Sequence, residues 1–229
     1  MNEILLIIEL ILIYGSILVF YKLFGKSGLY AFTVFATLTA NIEVMILVNA
    51  FGIEQTLGNI LFAATFVVTD ILSESEGKKS ASKAVFIGIA TSVLFIPLSQ
   101  LWLKFIPASS DVVMPHIVGV FKNTPRLMLS SIAVYAIVQL FDVFLYHFIW
   151  DKTTKIWGDR KKFLWLRNNL ATLMSQLLNS ILFNFAAFYG VYPIKTIFSI
   201  IVSGYAIFIV TSLLDTPIVY IARRLNIKK

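Results

Sequence analysis

The sequence predicts an all-α integral membrane protein with seven transmembrane helices. Three observations predict it. The 229 residues are 59% hydrophobic and 14% charged, with a mean hydropathy of +0.86, whereas about a quarter of a soluble domain is charged. The apolar runs are continuous and near the ~20 residues a helix needs to cross the hydrocarbon; barrel strands would be ~10 residues long and alternating. The positive charges fall in every second break between runs, the pattern that orients membrane helices.

The expected spans are about 3–23, 28–50, 57–73, 83–106, 127–150, 168–189 and 196–222. The first is not a cleaved signal peptide, because its positive flank, Lys22 and Lys26, follows the apolar run instead of preceding it. The third is short and ends in Asp70, Glu74 and Glu76 before Gly77, which suits a helix C-cap. The breaks after spans one, three and five, with the C-terminal tail, hold fifteen of the nineteen Lys and Arg residues, including Arg160, Lys228 and Lys229. Lys104, Lys122, Arg126 and Lys195 occupy the other side. That bias places the N-terminus outside and the C-terminus in the cytoplasm, and only seven spans keep the alternation.

The net charge of +7 is therefore a topology signal and does not point to nucleic acid. Cysteine is absent, which removes disulfides and thiolate chemistry. The chain carries no phosphate-binding loop, no zinc-protease or esterase motif and no metal-spaced cluster, so it is not expected to be an enzyme or to hold a cofactor.

Polar groups deep in an apolar run face a bundle interior or a watery cavity. Gln139 and Asp142 in span five are echoed by Gln176 and Asn179 in span six, and Tyr146 by Phe183. Ser131, Tyr135, Gln139, Asp142 and Tyr146 form one stripe of a helix, and Thr172, Gln176, Asn179 and Phe183 form another. Consecutive spans run antiparallel, so the echo reads as an inverted repeat, which places a substrate site near the midplane. The competing explanation is two helices glued through Gln and Asn. In span two Asn41 faces inward, and Glu43, two residues on, points elsewhere. Asp70 and Glu74 share a face, with an ion-pair cluster to the neighbouring lysines set against a substrate role. Arg167 and Asn168 lie a turn or two below Thr172 and Gln176, beside an interfacial Trp165. Arg126 reads as a headgroup anchor and His147 as a packed residue. Asp215 and Thr216 precede Pro217 and could satisfy the backbone groups that a proline frees.

This constellation resembles the queuosine precursor transporter family, also called the vitamin uptake transporter family. The resemblance runs through Asn41; Thr69, Asp70, Glu74, Gly77, Lys78 and Lys79; Arg126 and Ser131; Gln139 and Asp142; Trp165, Leu166 and Arg167; and Thr172, Ser175, Gln176, Asn179, Ser180 and Phe183. It covers about 28–222, and Asn179 stands where the family has a second Asp. It implies a six-helix core over 28–229, similar to the S-components of energy-coupling-factor transporters, with residues 1–27 as an added helix. It further implies uptake of a 7-deazaguanine, either a prequeuosine base or queuine, across a bacterial inner membrane. The binding residues it implies are Asn41, Asp70, Tyr135, Gln139, Asp142, Tyr146, Arg167, Thr172, Gln176, Asn179 and Phe183. Asp142 would accept the paired N–H groups of a guanine edge, and an aromatic ring would stack on the base. The alternatives are an orphan S-component lending its site to a separate ATPase module, and a structural membrane protein. The bilayer and the nucleobase are the expected partners, and a homodimer is compatible with the sequence.

Overall fold

The computed structural model describes residues 1–122, 125–159 and 161–226. Arg160, Lys228 and Lys229, counted above among the topology charges, lie outside the described residues. Among the described residues the regular elements are helices apart from one small hairpin: α1 (Asn2–Glu43), β1 (Leu47–Ala50), β2 (Ile53–Thr56), α2 (Gly58–Glu76), α3 (Lys78–Trp102), α4 (Met114–Phe121), α5 (Pro125–Trp157), α6 (Leu164–Phe188) and α7 (Ile194–Asn226). Among the described residues, α1, α3, α5, α6 and α7 are long and apolar enough to cross a membrane. Their outward faces carry exposed Ile, Leu, Val and Phe, as lipid contact requires.

A straight helix of the length of α1 would reach about 63 Å, twice the hydrocarbon thickness. It is not straight. Gly25 adopts φ 59° and ψ −141°, a conformation open in practice to glycine alone, and the chain folds back there into two arms. The arms meet so closely that a Cβ on Gly28 would overlap the carbonyl of Phe20, while the rings of Phe20 and Phe32 pack edge to face at 6.0 Å. The first arm lays Leu6, Ile13, Tyr14 and Ile17 into the core that also holds Val219 and Ala222 of α7.

The second expected span was drawn to residue 50, but the helix stops at Glu43. Residues 47–56 instead form an antiparallel hairpin whose turn places Phe51 and Gly52 at φ 54° and 73°. Two consecutive positive φ values make the tight turn that matches strand twist, and Gly52 is what permits it. Glu43 therefore sits at a helix end and not deep in a span. The α4 helix was not anticipated; Asp111 starts it by accepting the N–H groups of Val113 at 2.6 Å and Met114 at 3.1 Å.

Hydrogen bonds sort the connections into two ends. At one end Lys26 pairs with Glu76 at 3.4 Å, and Arg223 donates to the Lys161 carbonyl at 3.0 Å. This basic end thus gathers the α1 bend, the α2–α3 junction, the α5–α6 loop and the end of α7. At the other end Asn2 donates to the Asn49 carbonyl at 2.8 Å, and Arg126 donates to the carbonyls of Ala186 and Tyr189. Arg126 therefore caps the C-terminus of α6 while its side chain stays exposed. Between the ends runs α2, with fourteen of its nineteen residues buried, so it is the axis around which the other helices pack.

Gly28→Val should prevent the two arms of α1 from closing. The expected result is a clear loss of folded protein, read as reduced membrane abundance and a lower unfolding temperature in detergent. The same change at Gly15, where a Cβ meets nothing within 4 Å, should be tolerated.

Candidate functional site

The polar groups of α2, α5, α6 and α7 converge because each lies on the inward stripe of its helix. Asp70 and Glu74 are one turn apart on α2, Gln139, Asp142 and Tyr146 follow on α5, and Arg167, Thr172 and Gln176 on α6. All are buried. The deepest charge pair is Arg167 with Glu74: Nε of Arg167 donates to Glu74 Oε1 at 2.6 Å, and its Nη2 also lies on that oxygen. The Nη1 group donates to the Lys162 carbonyl at 2.8 Å, the guanidinium lies 4.2 Å from the Trp150 ring centroid, and Tyr146 donates to Glu74 at 2.7 Å. Glu74 is thus held by a helix across the bundle and not by the lysines of its own loop.

Next to that pair, Thr172 donates to Asp70 Oδ2 at 3.4 Å. Gln139 donates to Thr65 and accepts from Thr69 at 3.4 Å. On the far side, Tyr14 of the first arm donates to Asp215 Oδ1, and Thr216 accepts from Asn168 at 3.1 Å and Asn169 at 2.7 Å. Asp215 and Thr216 are therefore bound to side chains of α1 and α6 and not to backbone freed by Pro217.

Several buried atoms in the middle have no hydrogen-bond partner among the described residues. They are both oxygens of Asp142, both polar atoms of the Gln176 amide, Asp70 Oδ1, Asp215 Oδ2 and the hydroxyls of Ser73 and Ser212. Each such group costs about 1–3 kcal/mol, so their concentration at one level marks a surface suited to a polar ligand. Asp70 lies within electrostatic reach of Asp142, Asp215 and Glu74, and Asp142 within reach of Asp215.

Two cavities approach this cluster. One of about 810 Å³ opens at the basic end and reaches Ser73 and Glu74 between Lys78, His147, Trp150 and Arg223. The other, about 300 Å³, opens under the hairpin and is lined by Gln55, Asn179, Phe183, Asn184 and Tyr192 among others. A small space of about 20 Å³ joins Asn41, Ser92, Thr65, Ser131 and Tyr135. The sequence-predicted residues thus divide. Asp70, Gln139, Asp142, Tyr146, Arg167, Thr172 and Gln176 form the closed centre. Asn179 and Phe183 line the hairpin-side cavity, and Asn41, which donates to Ser92 at 3.2 Å, sits with Tyr135 between the two. Sequence reasoning weighed Glu74 between an ion pair and a substrate role and Asp215 as a structural group, placed neither among the binding residues, and did not single out Ser212. Glu74 was visible one turn from Asp70, and Asp215 as a carboxylate within an apolar run.

A family model described as "Putative vitamin uptake transporter" matches residues 56–222. The "Probable queuosine precursor transporter" of Bacillus subtilis (strain 168) is 37% identical over 209 residues, which is 91% of this chain and 89% of that protein. No solved structure matches the chain.

Breaking a buried ion pair from one side leaves an uncompensated charge, at about 3–5 kcal/mol. Glu74→Ala should therefore sharply lower the unfolding temperature of the purified protein. Replacing Glu74 and Arg167 together by Met should recover most of that loss. An unchanged temperature for Glu74→Ala would remove the pair from its structural role.

Proposed function

The chain belongs to the vitamin uptake transporter family, and on that premise we propose that it imports a queuosine precursor, a 7-deazaguanine base, across a bacterial inner membrane. The observation that carries the proposal is the set of unpartnered atoms on Asp142 and Gln176, both fully buried and facing the centre from adjacent helices. A guanine-type edge presents a ring N–H beside an exocyclic amine, two donors for the two oxygens of one carboxylate. Its carbonyl is an acceptor for the Gln176 amide N–H, and its remaining ring N–H, on the five-membered ring, suits Asp70 Oδ1. Such complementarity also rejects an adenine-type edge, which would leave these acceptors unpaired. The printed name of the Bacillus subtilis relative supports the same substrate class.

The route runs between the two cavities. Asn179, Phe183 and Asn41 receive the base from the hairpin side; Asp142, Gln176, Thr172 and Asp70 hold it, with Gln139 tying α5 to α2 beside them; and the Arg167–Glu74–Tyr146 contact separates it from the larger cavity at the basic end. The chain crosses the membrane seven times, with α1 contributing one crossing on each side of Gly25 and α2 the third. Residues 1–27 are an added helix on a six-helix core. The basic end faces the cytoplasm, supported by Lys26, Lys78, Lys161 and Arg223 gathered there.

Two measurements check this. In a host unable to make queuosine and lacking its own uptake system, Asp142→Ala should abolish base-dependent queuosine in tRNA while the protein still reaches the membrane. Losing two charge-assisted contacts at about 1–3 kcal/mol each weakens binding by about thirtyfold to about ten-thousandfold. Gln176→Ala removes neutral bonds and should cost less. For topology, a C-terminal reporter active only in the cytoplasm should be bright, and a tag before Met1 should be reachable from outside. A dark reporter would reverse the orientation.

A further inference from the structure

The buried charges do not balance. Asp70, Glu74, Asp142 and Asp215 are four enclosed carboxyl groups, and the one guanidinium enclosed with them, that of Arg167, is committed to Glu74 through Nε and Nη2. Among the described residues the other three have no cationic hydrogen-bond partner: Thr172 donates to Asp70, Tyr14 donates to Asp215, and neither oxygen of Asp142 is bonded. Carboxylates in a low-dielectric interior need positive charge to remain ionised. Among the described residues no three acidic or histidine side chains converge in a geometry that would hold a metal ion. A carboxyl group so placed either keeps its proton or meets a positive charge, and a cationic cargo is a source of that charge.

Asp215 is built to receive it. Its Oδ1 is fixed by the Tyr14 hydroxyl, so the carboxyl cannot rotate away, while Oδ2 has no partner among the described residues. Ser212, three residues earlier on the same face of α7, is fully buried with its hydroxyl also unpartnered. An unpartnered carboxylate oxygen beside an unpartnered hydroxyl matches an ammonium group, a compact charge with three donors and no acceptor. Resting on the transport reading above, we propose that Asp215, oriented by Tyr14 and assisted by Ser212, binds an aliphatic ammonium carried on the 7-substituent of the base, and that the protein prefers such amine-bearing 7-deazaguanines over neutral ones. The guanine edge goes to Asp142, and the substituent points across the bundle to α7. In this arrangement the first arm of α1 shapes selectivity through Tyr14 without touching the ring system.

The test compares two bases with the same ring, 7-aminomethyl-7-deazaguanine and 7-cyano-7-deazaguanine, in cells lacking their own uptake of either. Initial uptake of each is measured by mass spectrometry alongside membrane abundance of the protein. The wild-type chain should favour the aminomethyl base by about tenfold or more, the scale of one charge-assisted hydrogen bond. Asp215→Asn, which keeps the shape and removes the charge, should bring the ratio close to one. Tyr14→Phe, which keeps the carboxylate and frees its orientation, should give an intermediate ratio, and it decides the matter if Asp215→Asn fails to reach the membrane. A wild-type ratio near one overturns the proposal, as does an undiminished preference in Asp215→Asn or, failing that variant, in Tyr14→Phe. Uptake of neither base by the wild-type chain would instead sink the transport reading on which the proposal stands.

Discussion

A charge carried into the hydrocarbon has to be answered by the protein around it, and in this chain Arg167 is answered by Glu74. The guanidinium also lies on the Trp150 ring and reaches the Lys162 carbonyl, so α2, α5 and α6 are pinned to one another at a single level. The rest of the centre is set out from that point by helical periodicity. Asp70 lies one turn from Glu74, Asp142 one turn from Tyr146, and Thr172 and Gln176 follow Arg167 along α6. Shift the pin by a turn and these groups no longer share a level. The same contact closes the centre from the larger cavity, since Ser73 and Glu74 line its inner wall.

Polar groups inside a membrane protein are either spent on holding helices together or left available for a ligand. Both kinds occur here. Gln139 is spent, because both ends of its amide are used by Thr65 and Thr69; Asn41 is partly spent on Thr37 and Ser92. Gln176, the counterpart of Gln139 in the α6 stripe, is not, and neither is Asp142 in the α5 stripe itself. The two halves of the repeated Gln-x-x-Asp/Asn pattern therefore differ in state even though they match in sequence.

Most of the fold was legible because hydrophobic length and charge alternation report directly on bilayer thickness and sidedness. The helices of the last three spans sit where the apolar runs place them. The end of the second span was not legible: residues 44–50 are as apolar as a helix, and the tight turn at Phe51 and Gly52 pairs Leu47–Ala50 as a strand instead. The stripes on α5 and α6 were legible from spacing, and the structure gathers Gln139, Asp142, Tyr146, Thr172 and Gln176 as that spacing requires. The partners across the bundle were not. Glu74 could be read as a companion of its neighbouring lysines or as a substrate group, and Asp215 as a companion of Pro217, because sequence proximity is visible in a string and packing across 93 or 201 positions is not. A lone carboxylate in an apolar run is a reliable sign that some partner exists, but it does not name that partner.

The central claim, that Asp142 reads a guanine-type edge in the closed centre, is tested most directly by ligand-dependent unfolding of the purified protein. A base that binds only the folded chain raises stability by about 2.7 kcal/mol at a hundredfold excess over Kd. Wild-type protein should be stabilised by a 7-deazaguanine and not by the matching 7-deazaadenine, and Asp142→Asn, which turns an acceptor toward the base into a donor, should lose the effect. Equal stabilisation by both bases, or an unchanged response in Asp142→Asn, would contradict the account.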